Sequence, residues 1–515
     1  MSYSQSWLEN QYANRIVLVE CTVYNVSEAE EQTVLFSNGG YLTADGVSHF
    51  APLVMGGVTV SEKLNREGNV TMSVGDISIS NADGRFDAFL GDNYVWVNRP
   101  IVVYYGDPSW GVSDLNELRT GSVFKIVFNG IISDIGSSQN DVINIKLRDK
   151  LERLNSPVTE DKIGTYGVWA GGQQNQDQVT PLVFGEVHNI SPTLVDPSML
   201  EYRYSTGANE RLIEVRDNGI PLEAIISDTA TGTFKLGAPS AGTITCSVQG
   251  VKQSVDLTTG SLSAVYSNNI ANLIALLCTQ YGANSDNRLV AADLDLPQLL
   301  NFATSNTEYI GLYLGDRENV LSVCQQLAAS IGGQLFMTRE GKLRLLRFGT
   351  PISGVSSVSI TTKDIIENTL QISERIPVSA STKLGYCRNW TVQTGLLTAI
   401  PEQHKEMFAK EWYTVTSEDT AVKARYKLDA EPIQKNTLLL KETHASTEAL
   451  RLNNLFKTPK TVFRFSGTPR LMSLVLGQAV SITHPRFNLE SGESGQVVGL
   501  NVNWATKSIE VEVLV

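Results

Sequence analysis

Two aspartates stand two residues apart in Asp293-Leu294-Asp295-Leu296, a carboxylate pair of the kind a glycosidase needs. Such an enzyme must hold one acid protonated and the other ionised. Nothing around these two separates their environments, and Pro297 suggests a loop or strand. The five histidines are His49, His188, His404, His444 and His484. None has H-E-x-x-H or comparable ligand spacing, so surface or loop positions are expected. The five cysteines, Cys21, Cys246, Cys278, Cys324 and Cys387, are far apart and lack zinc or redox spacing. Cys278 and Cys324 fall on apolar helical stripes, so reduced thiols without disulfides are expected. A calcium loop through Asn81-Ala82-Asp83-Gly84 would begin at Ile79 and end at Leu90, where glutamate is required. A turn with Gly84 left-handed is expected instead. Gly39-Gly40, Gly56-Gly57 and Gly171-Gly172 lack the lysine and helix of a phosphate loop, and no G-x-S-x-G elbow occurs. Lys342, Arg344 and Arg347 read as a solvated strand face. Trp96, Tyr104 and Tyr105 would suit either a carbohydrate or partner surface or, more commonly, packing. The expectation is therefore no catalytic, cofactor-binding or metal-binding residue, and no enzyme.

Composition limits the classes that remain. The chain has 515 residues, 42% hydrophobic and 18% charged, enough to build several cores. At ~150 residues per domain, three or four domains are expected. The net charge of −13 opposes a broad grip on nucleic acid, which needs lysine and arginine to neutralise phosphates. Residues 1–14 lack a signal-peptide pattern, and no apolar run approaches the ~20 residues of a membrane helix. A soluble chain assembled in the cytoplasm is expected.

The elements that would position these residues are mainly strands. Apolar or alternating runs at 16–26, 58–64, 70–80, 101–105, 123–132 and 142–147 predict a barrel or sandwich, followed by a short helix at 149–154. The glycine-rich 167–178 stretch reads as an exposed loop, and 202–251 as a small β insertion with turns at Asp217-Asn218-Gly219 and Thr231-Gly232. Ile270, Leu273, Ile274 and Leu277 mark a helix over 269–281, stopped by Gly282. A second helix is predicted over 316–331, capped by Asp316. A hairpin over 334–348 turns at Arg339-Glu340-Gly341, with a bulge suspected at Leu345-Leu346. Further strands are predicted at 368–376, 384–392, 461–466, 478–483, 496–502 and 508–515, with helices near 419–427 and 444–456. The fold class is thus mainly β with an α/β middle. The expected domains are 1–155 (β-barrel-like), 156–260 (loop-rich, with the β insertion), 261–365 (helix and hairpin) and 366–515 (β-barrel-like).

Several stretches resemble the hub proteins of phage tail tips and contractile baseplates. They are Ile77-Ser78-Ile79-Ser80-Asn81-Ala82-Asp83-Gly84-Arg85-Phe86-Asp87, Asn98 through Tyr105-Gly106-Asp107, Phe128-Asn129-Gly130-Ile131-Ile132 and Ile145-Lys146-Leu147-Arg148-Asp149. Residues 311–348 look like the hub's helix-and-hairpin segment. Leu476-Gly477-Gln478-Ala479-Val480 and Val497-Val498-Gly499-Leu500 look like its closing barrel. The order of the motifs, over about two thirds of the chain, carries the resemblance. It implies a homotrimer with two related barrels per chain, so that three chains match a six-fold tube on one face and stay three-fold on the other. Implied partners are the tail tube or distal tail protein, spike or fibre proteins and a tape-measure protein. Phage DNA would pass through the channel without sequence-specific binding. The implied location is the virion tail tip, with no cofactor. The rival readings are a hexameric distal tail ring and a receptor-binding or glycan-degrading tail enzyme.

Overall fold

In the computed structural model, residues 5–10, 12–66, 74–139, 141–164, 175, 177–223, 225–394, 396 and 399–515 are described. The chain is mainly β, with open sheets. It forms two compact units: Met1–Arg153 with Gln334–Ile376 and Lys460–Val515, and Leu154–Gly333 with Pro377–Pro459.

The first unit is organised by a sheet of sixteen strands among the described residues. Its main strands are β1 (Ile16–Asn25), β2 (Glu30–Ser37), β3 (Val54–Lys63), β4 (Val74–Ser80), β5 (Pro100–Gly106), β6 (Lys125–Gln139), β7 (Val142–Arg148), β8 (Gln371–Ile376), β9 (Lys460–Gly467), β10 (Ala479–His484), β11 (Leu489–Asn503) and β12 (Ser508–Leu514). Their order is β8-β9-β12-β11-β3-β4-β7-β6-β5-β1-β2, extended beyond β2 by His49–Pro52 and Tyr41–Leu42, with β10 pairing β11 off this path. Short helices α1 (Gln5–Glu9) and α2 (Leu115–Arg119) flank it.

Side-chain alternation explains how the layers form. On β1, Val17, Val19, Cys21 and Val23 enter the main core, while Ile16 and Leu18 enter a second cluster with Tyr41, Phe50, Tyr104 and Phe124. A strand covered on both faces needs an almost continuous apolar run, as Ile16-Val17-Leu18-Val19 provides. On β12, Ile509, Val511 and Val513 point inward, while Glu510 and Glu512 point outward to Arg464 at 2.7 Å and Lys63 at 3.0 Å. The decisive joint is the antiparallel β3–β11 pair, with Val60 opposite Val502 and Glu62 opposite Leu500. It places strands from both ends of the chain over one core that contains Val58, Val60, Ile145, Phe465, Val502 and Trp504.

The 334–348 hairpin forms as expected, with Gly341 at φ +73°. A Cβ there would meet the Asn129 carbonyl oxygen at 2.7 Å, so both conformation and space call for glycine. At the turn, Arg339 is buried against Glu62 at 3.0 Å, donates to the Met472 carbonyl at 3.0 Å and lies over the Trp504 ring. The 70–80 strand begins at Val74, its expected residues 70–73 lying outside those described. Most of the expected 167–178 loop also lies outside them.

The second unit holds a five-stranded sheet ordered Ile220–Pro221, Asn209–Asp217, Ile244–Val251, Leu182–Ile190, Gly311–Leu314. A four-stranded sheet (Thr193–Asp196, Glu201–Arg203, Thr233–Leu236, Ile225–Asp228) shares its apolar cluster around Tyr204, Phe234 and Val248. The helices are α3 (Ile270–Gln280), α4 (Leu296–Ser305), α5 (Val320–Ala329), α6 (Glu402–Ala409), α7 (Thr420–Tyr426) and α8 (Glu442–Phe456). Helix α3 is capped by the Asn269 side chain and stops before Gly282, at φ +116°.

Several expected elements start or end elsewhere, as with the 496–502 strand, which is Leu489–Asn503, and two have a visible cause. Helix α5 begins at Val320, with Asn319 rather than Asp316 at its cap position. The reason is a competing bridge: Pro157 pairs with Asn319, the Val158 N–H donates to the Glu318 carbonyl and the Val320 N–H donates to the Ser156 carbonyl. The strand expected over 384–392 is Ser381–Tyr386, because Cys387 turns to φ +47° and donates its N–H to the Leu439 carbonyl.

Replacing Arg339 or Glu62 singly by alanine leaves the other charge buried, and each should lower stability by about 3–5 kcal/mol. The double substitution Glu62→Leu with Arg339→Met should recover most of that loss, as read by denaturant unfolding.

Candidate functional site

The residues that first suggested chemistry are used structurally. The Asp295 carboxylate caps α4 by accepting the Gln298 N–H at 3.4 Å, and Asp293 accepts the Val290 N–H at 3.1 Å. Pro297 lies in the first turn of α4, where its missing N–H costs little, so the expected loop or strand is a helix start. Gly84 takes φ +68°, and the Asn81 side chain holds the turn by accepting the Phe86 N–H and donating to Asp87. Trp96, Tyr104 and Tyr105 are buried. Burial and the neighbouring Glu20 carboxylate push the Tyr104 phenol up.

Among the described residues, no group of three or more His, Cys, Asp or Glu is arranged to hold a metal. His188 lies 3.2 Å from Glu186, and the His444 imidazole accepts the Tyr309 N–H. Burial pushes His444 down, favouring its neutral form. The structure brings together one pair that spacing does not reveal: the sulfurs of Cys278 on α3 and Cys324 on α5, 3.8 Å apart and buried. Burial and the neighbouring Cys278 push the Cys324 thiol well up, which leaves it little thiolate.

Buried charges fix the framework of the first unit. The Glu20 carboxylate accepts from Tyr104 at 2.9 Å and from Arg119 at 2.5 and 2.9 Å. Asp364 accepts from Arg470 at 2.6 Å and from the backbone and hydroxyl of Thr361. Strand β8 ends the sheet order, and all its residues but Ile376 are exposed. Its register shifts between Ile372 and Glu374, and Glu374 and Arg375 add charge. A bulge and charges are devices that keep an open edge from indiscriminate pairing.

Two clefts open on this unit. One, of about 380 Å³ beside β8, is internally neutralised, Lys63 pairing with Glu512 and Arg66 with Glu374. The other, of about 710 Å³, lies where α1 and the start of β1 meet 359–364 and 468–470. Its charges are Arg15, Lys363, Arg470 and Lys507 against Glu9 and Asp364. Sequence reading misses this cleft because its residues come from four separated segments.

In the native protein, alkylation should reach no thiol beyond Cys387, and unfolding should expose all five. Rapid native labelling of Cys278 or Cys324 in a mass-mapped digest would contradict their burial.

No family model and no curated protein matches the chain. Solved structures do. A prophage MuSo2 43 kDa tail protein from Shewanella oneidensis is 10% identical, with 98% of each chain covered and a TM-score of 0.41. A tail protein from Neisseria meningitidis MC58 is 8% identical, covering 97% of this chain and 96% of that one, with a TM-score of 0.39. A type VI secretion component from E. coli, described as similar to bacteriophage T4 tail proteins, is 8% identical, covering 90% and 72%, with a TM-score of 0.32. The chain is thus similar in structure to phage tail and tail-related proteins.

Proposed function

We propose that this chain is a structural virion protein, the homotrimeric hub of a phage tail tip or baseplate. The observation that carries the reading is where the resembling motifs fall. The Ile77–Asp87 stretch opens in β4, residues 98–107 run through β5, Phe128–Ile132 lies in β6 and Ile145–Arg148 in β7. These four strands are neighbours in one sheet, and Val497–Leu500 in β11 continues it across β3. Scattered motifs therefore fall on one continuous sheet and feed its core.

In this reading the β-rich ends of the chain, 1–155 and 366–515, supply one ring module each. Three chains present six, which adapts a six-fold tube or distal tail protein to three-fold spike or fibre proteins. The ring closes or lines the channel for DNA, adjoins the tape-measure protein and opens at genome ejection. The net charge of −13 suits a wall that DNA passes without being gripped. Cyclic closure also covers strand edges that would otherwise template aggregation. The chain acts mechanically, not as an enzyme, and joins the virion after synthesis in the host cytoplasm.

Native mass spectrometry of the purified full chain should give a three-chain species at micromolar concentration. A six-chain ring would favour a distal tail ring, and a monomer at every concentration would refute the hub.

A further inference from the structure

The 710 Å³ cleft carries a charge imbalance that the rest of the chain opposes. Arg470 is satisfied by Asp364 at 2.6 Å and Glu9 at 3.4 Å. Both acids of the cleft thus serve one arginine. Arg15 is held by backbone carbonyls of Trp7, Leu8 and Asn10, which orient the guanidinium without neutralising it. Among the described residues, no ion pair joins Arg15, Lys363 or Lys507 to an acid. In a chain of net charge −13, three uncompensated cations around one concavity mark a site for an acidic segment.

An acidic segment lies at the other end of the same strand. The β1–β2 hairpin tip, residues 26–31, is exposed throughout and contains Glu28, Glu30 and Glu31. Glu31 pairs with Arg99 at 2.6 Å, and among the described residues the Glu28 carboxylate accepts only from the neutral Gln32 amide. Glu30 has no cationic partner among the described residues. Arg15 precedes the first residue of β1, and the tip follows its last. Ten residues of strand separate them by roughly 33 Å, so cleft and tip cannot meet within one chain. Opposite charges at opposite ends of a strand form a heterologous pair of patches, which gives a ring where the rotation between successive copies closes.

We infer that the acidic 26–31 tip of one copy seats in the Arg15–Lys363–Lys507 cleft of the next. This rests on the trimeric reading above and gives its ring a polarity. Exposed ion pairs are individually weak and screened by salt, so the contact sets register and association rate, with Val26 adding apolar surface.

The test is charge reversal in the full chain, read by sedimentation velocity at low and high salt. Lys363→Glu with Lys507→Glu, and separately Glu28→Lys with Glu30→Lys, should each weaken trimer formation at least tenfold at low salt. Combining all four should restore it, while circular dichroism stays unchanged throughout. An independent arm is Glu30→Cys with Lys363→Cys, which on mild oxidation should give covalent dimers and trimers. Trimers unaffected by either reversal, or no recovery in the combined variant, would overturn the contact while leaving the hub standing. A wild-type chain that is monomeric throughout would overturn both.

Discussion

The first unit depends on a five-residue antiparallel match between β3 and β11. Strand β3 belongs to the first 63 residues and β11 to the last 27, so the sheet is continuous only if the two ends of the chain meet. A slip of one residue would turn Val60 and Val502 out of the core and bring Thr59 and Asn501 in, which makes the register strongly specified. The Glu62–Arg339 pair secures the same place: Glu62 is on β3, Arg339 on the hairpin turn, and the arginine reaches the Met472 carbonyl and the Trp504 ring beyond β11. One buried cation thus ties three distant segments. Its low exposure makes it a poor source of net stability, while its three partners make it a strong filter against wrong arrangements.

That joint has a consequence for assembly. A sheet that gathers both ends of the chain leaves its own two ends open, at β8 and at Tyr41–Leu42. The charges and bulge on β8 keep that edge from promiscuous pairing, and in the proposed ring neighbouring copies would supply defined partners instead. The basic cleft and the acidic hairpin tip sit at the two ends of β1, a strand buried on both faces for its first six residues and therefore stiff.

Much of the local structure is legible in the sequence because its causes are local. The alternation of Ile509, Val511 and Val513 with Glu510 and Glu512 specifies β12, and the stripe of Ile270, Leu273, Ile274 and Leu277 specifies α3. Glycine at 84 and 341 marks backbone that other residues resist. What escapes is set by partners far away in sequence. Helix α5 starts late because residues 156–158 take the backbone groups of 318–320, and Asp295 becomes a cap because Pro297 opens a helix rather than a loop. The Cys278–Cys324 contact and the basic cleft arise from packing between separated segments, which spacing does not encode.

Counting copies in the assembled particle tests the central claim most directly. Electron cryomicroscopy of the intact tail tip should find three copies of this chain in one closed ring, each contributing the β3–β11 joint and two modules to the wall. Six copies in that ring, or none at the tip, would contradict the account.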